Sequence, residues 1–69
     1  MKSNAWKKDF VVIMYSDYDH TWIEKTIPLT YLQAVRFIYV LHWDHALENG
    51  IVKIVTLTEL ETIKTLAKA

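Results

Sequence analysis

The chain has 69 residues, eight of them Lys or Arg and eight Asp or Glu, so its formal net charge is zero. That length holds one domain, residues 1–69, with a small core: a domain of about 60 residues buries only about 60% of the surface its unfolded chain exposes. Balanced charge argues against a general nucleic-acid binder. The lack of cysteine excludes a disulfide framework and thiolate chemistry, and 52% hydrophobic residues with three tryptophans indicate a folded chain rather than a disordered one.

Residues 1–8 read as an N-terminal arm in which Lys2, Trp6, Lys7 and Lys8 gather. A basic segment with an aromatic side chain can follow a phosphate backbone and stack a base, which gives a nucleic-acid reading. The plainer reading is a solvated arm ahead of the first strand. No apolar run leads to a small-residue cleavage site, and the longest uninterrupted apolar run in the central helix, residues 37–41, is far too short for a membrane span. A cytoplasmic, soluble protein with no membrane partner is the expectation.

Residues 9–27 predict a hairpin. In Phe10–Ser16, FVVIMYS, both alternating faces are apolar: Phe10, Val12 and Met14 on one, Val11, Ile13 and Tyr15 on the other. A strand covered on both sides belongs in the centre of a sheet. Asp17, Tyr18 and Asp19 supply the turn, and residues 20–27 read as a second, antiparallel strand. There Trp22 alternates with Glu24 and Thr26, while Thr21, Ile23, Lys25 and Ile27 share the other side, a mixture suited to an edge.

Residues 30–49 predict one long helix. Thr30 and Gln33 have the spacing of a capping box, Pro28 lies safely ahead of it, and Asn49-Gly50 supplies the stop. A continuous helix over 31–48 would be about 27 Å long. At 100° per residue, Gln33, Arg36 and Asp44 face water, while Tyr31, Ala34, Val35, Ile38, His42 and His45 form the core stripe. Val40, Trp43 and Leu47, at i, i+3 and i+7, then fall beside Arg36 on the solvent side. Such a strip is covered either by another part of the chain or by a partner.

Residues 51–57, IVKIVTL, give a third strand. Residues 58–68 give a short helix, with Thr58 and Glu61 at capping-box spacing and Leu60, Ile63, Leu66 and Ala67 at helical intervals. Too short to stand alone, it should dock on the sheet face opposite the long helix, which would account for the two apolar faces of the first strand. The fold class is α+β, a ββαβα domain. A right-handed crossover through the long helix returns the third strand parallel to the second, and placing it against the free edge of the first gives a three-stranded antiparallel sheet of order 2-1-3.

Chemistry-bearing constellations are weak. His42 and His45, with Asp44 and the turn residues Asp17, Asp19 and His20, suggest a metal. Zinc, however, needs three or four ligands converging at about 2.0–2.2 Å, and Asp44 points away from the His42 side, so no metal is assigned. A single glycine leaves no phosphate-cradling loop. Ser3 and Ser16 have no nucleophile context. The carboxylate pairs Glu59/Glu61 and Asp17/Asp19 read as a helix start and a turn. A chain of this size has little room to enclose a pocket of about 300 Å³. No catalytic residue and no cofactor are assigned, and the expectation is a protein that is not an enzyme.

Binding to another protein is the leading class, through Arg36, Val40, Trp43 and Leu47: an aromatic anchor, aliphatic filler and an arginine. In size, α+β organisation and lack of catalytic residues the chain resembles the small single-domain proteins of phages and other mobile elements. That resemblance implies an inhibitor that occludes a host or defence enzyme; it covers no specific motif and carries over no residue. The alternatives are a homodimer built on the same helix face and nucleic-acid binding by the N-terminal segment.

Overall fold

The computed structural model describes residues 7–68. In chain order the described elements are β1 (Phe10–Ser16), β2 (Thr21–Glu24), α1 (Tyr31–Val40), α2 (Asp44–Glu48), β3 (Val52–Thr56) and α3 (Leu57–Lys68). The strands form one sheet in the order β2-β1-β3, with β1 antiparallel to both neighbours. The expected α+β architecture and strand order are therefore present.

The two apolar faces of β1 are used as their alternation requires. Val12, Ala34, Ile38 and Val52 form the buried cluster under α1, and Phe10, Met14 and Ile54 pack around it. Val11 and Ile13 join Val55 and Leu60 on the opposite face, with Trp22 and Ile63 packed against them. The sheet is thus the middle layer, and α3 covers the side that the long helical arm leaves open.

β2 is shorter than residues 20–27, for a reason visible in its hydrogen bonds. The hairpin closes at Ser16 and Thr21, and the ladder runs to Lys25, whose N–H donates to the Val12 carbonyl at 2.8 Å. Pairing resumes only at Leu29, which exchanges two hydrogen bonds with Phe10 (2.9 and 2.7 Å). Residues 26–28 bulge out opposite Val11, and Pro28 has no N–H to give a ladder. The N–H of fully buried Val12 still needs an acceptor, and the Thr26 hydroxyl supplies one at 3.2 Å.

The helical stretch over 31–48 is present in extent but divided. Its start is as expected: the Gln33 N–H donates to the Thr30 hydroxyl (3.2 Å), and the Thr30 N–H donates to the Gln33 side-chain oxygen (3.0 Å). It then stops at Val40. The His42 N–H donates to the Tyr39 carbonyl (3.1 Å) and the Trp43 N–H to the Ile38 carbonyl (2.9 Å), with His42 at φ 58. This pair of bonds around a left-handed residue is the Schellman ending. The same ending closes α2, where the Gly50 N–H donates to Leu47 (3.2 Å), the Ile51 N–H to Ala46 (2.9 Å), and Gly50 sits at φ 77.

Magnitudes explain why the chain breaks at a histidine. A left-handed conformation costs a non-glycine residue roughly 1–2 kcal/mol. A continuous helix would leave Trp43 and Leu47 in water beside Arg36. The break packs both against the cluster of Val12, Ala34, Ile38 and Val52 and sets Trp43 edge-on to Phe37, centroids 5.6 Å apart. Withdrawing roughly 100 Å² of Trp43 from water contributes about 2.5 kcal/mol, which exceeds the strain before Leu47 is counted.

The cap of α3 also differs from expectation. Thr56, not Thr58, makes the reciprocal pair: the Glu59 N–H donates to the Thr56 hydroxyl (3.1 Å), and the Thr56 N–H donates to the Glu59 carboxylate (2.9 Å). Residues 56–61 contain two overlapping Thr-x-x-Glu spacings. The earlier one wins because it starts the helix directly at the end of β3, in the phase that turns Leu60 and Ile63 onto Val11, Ile13 and Val55.

Candidate functional site

α1 packs on the sheet with Ala34 and Ile38, which are fully buried. Advancing by 100° per residue, the diametrically opposite strip is Leu32, Arg36, Tyr39 and Val40, at i, i+4, i+7 and i+8. Arg36 is exposed, and so are the three apolar side chains: Leu32 by 63%, Tyr39 by 59% and Val40 by 74%. A helix normally turns its polar side to water, and here most of that side is aliphatic or aromatic.

The strip read from sequence is thus only partly assembled. Arg36 and Val40 share the outer face of α1. Trp43 and Leu47 do not join them, because the turn at His42 carries both to the core side. Their expected exposure is corrected to half-burial. Leu32 and Tyr39 take their place, and their spacing about Arg36 is the signal that identifies them. Two members of the expected core stripe are likewise corrected: His42 and His45 are exposed. Tyr31, also placed in that stripe, is half-exposed and rests its ring edge-on against Phe10, centroids 5.3 Å apart.

The remaining candidates are spread over the surface. Lys7 and Lys8 are exposed, whereas Lys2 and Trp6 lie outside the described residues. Asp17, Asp19 and His20 are exposed in the hairpin turn, where the Asp19 N–H donates to the Ser16 hydroxyl. Among the described residues no three His, Asp or Glu side chains converge as metal ligands would. No helix among them is long and apolar enough to cross a membrane.

Sequence reasoning missed a second feature, an open groove of about 580 Å³ beside β3. Tyr31, Val35 and Tyr39 of α1 form one wall, Glu59 and Ile63 of α3 the other, and the outer edge of β3 lies between them. Its two charged groups are engaged elsewhere. Glu59 caps α3, and the Lys53 ammonium lies 5.1 Å from the centre of the Trp22 ring. A smaller hollow on the α3 side is lined by Tyr15, His20, Trp22, Ile63 and Leu66. The groove needs the whole topology to be known, since only the order β2-β1-β3 makes β3 an edge.

Compared with known protein families, curated proteins and solved structures, the chain matches none of them.

Proposed function

We propose that this chain is a small non-catalytic protein-interaction module that binds a partner protein through the outer face of α1. One observation carries the reading: three large apolar side chains, Leu32, Tyr39 and Val40, stand in water around Arg36 on the side of the helix that faces away from its own core. Tyrosine and arginine are the residue types that interface centres favour, and aliphatic neighbours exclude water around them. A helix held against a sheet presents such a face with little conformational freedom left to lose on binding. Occlusion of a host or defence enzyme, in the manner of small phage-encoded inhibitors, is the specific form we assign to that binding.

The test is comparative capture from host cells by the wild-type chain and by Tyr39→Glu and Val40→Glu. Both substitutions lie on an exposed face and should leave the melting curve within about 0.5 kcal/mol of wild type. Loss of an aromatic anchor should weaken binding by about 2 kcal/mol, a factor of roughly 30. A captured protein that remains bound equally well to both folded variants would remove the outer face of α1 from consideration.

A further inference from the structure

We infer that the free edge of β3 is a self-pairing surface: two copies of this chain join β3 to β3 antiparallel, about a two-fold axis at Lys53, into one six-stranded sheet. The inference rests on backbone groups of a different element and shares with the outer face of α1 only Tyr39, which also lines the groove beside β3.

The hydrogen-bond pattern fixes which groups are free. The Tyr15 N–H donates to the Ile51 carbonyl (2.8 Å) and the Leu57 N–H to the Asp9 carbonyl (3.0 Å). With the β1–β3 register of Val11 with Val55 and Ile13 with Lys53, alternation directs the odd-numbered residues of β3 toward β1. Val52, Ile54 and Thr56 therefore direct their N–H and C=O groups outward. The Thr56 N–H is already taken by Glu59. Among the described residues, one N–H and one C=O on each of Val52 and Ile54 stay open.

That set is complementary to itself. Placed antiparallel with Lys53 opposite Lys53 of a second copy, Val52 of each chain exchanges two hydrogen bonds with Ile54 of the other. All four open groups on each chain are satisfied, with none left over.

Edge strands are normally protected by a lysine, a proline, a bulge or extreme shortness. The outer edge of β2 has such protection: four residues, then a three-residue bulge ending in Pro28, with Glu24 paired to Lys64 at 2.8 Å. β3 has no bulge or proline, and its one lysine leans the other way, across β1 to Trp22. Lys53 is thereby drawn off the edge it would guard, and two Lys53 side chains at the axis diverge rather than collide. The zero net charge of the chain adds no long-range repulsion between copies.

Area sets the strength. Pairing brings the groove walls together, covering Tyr31 and Tyr39 on one side of the sheet and Ile63 on the other. An ordinary interface removes about 800 Å² from each partner, roughly a seventh of the 5456 Å² surface here. A five-residue edge with two half-exposed tyrosines falls below that, so the pair should be reversible rather than obligate.

The experiment combines sedimentation equilibrium with amide hydrogen exchange by NMR on the full chain, from about 10 μM to about 1 mM, the range where small interfaces dissociate. The expected result is a mass that rises from 8.2 kDa toward twice that value. Exchange at the Val52 and Ile54 amides should slow in step with it. Lys53→Glu places two short carboxylates face to face at the axis and should weaken the pair at least tenfold, while neutral Lys53→Gln should leave it within threefold. Overturning results are distinct. A monomer with fast exchange at both amides, or slow exchange that does not depend on concentration, as an intramolecular occupant such as residues 1–6 would give, excludes self-pairing. A dimer whose Val52 and Ile54 amides still exchange fast has its interface elsewhere. Protected amides with Lys53→Glu unaffected would exclude the axis at Lys53.

Discussion

Trp43→Ala is the most informative single change in this protein, because the broken and the continuous helix give opposite outcomes. The indole is half-buried, edge-on to Phe37 and packed on the cluster of Val12, Ala34, Ile38 and Val52. Truncating a fully buried tryptophan costs about 3–5 kcal/mol; half-burial scales this to about 2 kcal/mol. The whole domain, at about 0.05–0.15 kcal/mol per residue, has only about 3–10 kcal/mol to lose. A loss of that size lowers the melting temperature of a domain this small by about 8–16 °C. Urea denaturation followed by far-UV circular dichroism measures it without relying on the deleted fluorophore. Val40→Ala, on the exposed face, is the control and should shift stability by less than about 0.5 kcal/mol. If Trp43→Ala melts with the wild type, as Val40→Ala does, the turn at His42 is misplaced and the continuous helix is restored.

Other substitutions probe the remaining unusual contacts. Thr26→Val keeps the shape but leaves the buried Val12 N–H without an acceptor, and should cost about 1–3 kcal/mol, with accelerated exchange of that one amide. Thr56→Ala should cost about 1 kcal/mol and Thr58→Ala almost nothing, a contrast in denaturant midpoints that locates the cap of α3. His42→Gly removes left-handed strain but loosens the unfolded chain, so stability should rise by no more than about 1 kcal/mol. Gly50→Ala should lose about 1–2 kcal/mol through backbone strain alone, because an added methyl at that position meets no atom within 4 Å; a loss well beyond that would show that the space is not open.

How much of this was legible in the chain depended on whether a feature is local. The central position of β1 follows from seven residues with two apolar faces, and the start of α1 from Thr30 and Gln33 alone. The break at His42 was hidden because its signal is a conformation, not a residue type. Gly50 announces a left-handed stop, while His42 ends α1 in that conformation with the burial of Trp43 as compensation, and that gain is set by side chains from β1 and β3. Once the helix is read as continuous, every face after Val40 is rotated, which is how Trp43 and Leu47 entered the exposed strip; Leu32 and Tyr39 lie before the break, on the Arg36 face in either reading. The cap of α3 was ambiguous for another reason: two identical spacings overlap, and only the docked positions of Leu60 and Ile63 choose between them.

The junction at Thr56 bears on where this chain can change length over evolutionary time. Thr56 ends β3 and caps α3 at once, with no residue between them. One inserted residue there would pull Glu59 out of reach of its threonine and turn Leu60 and Ile63 by about 100° away from Val11 and Ile13. The hairpin turn at 17–20 and the bulge at 26–28 carry no such constraint of phase, because a longer loop costs only about 0.6 kcal/mol per doubling. Homologous chains should therefore vary in length at those two places and keep the strand-to-helix junction to the residue.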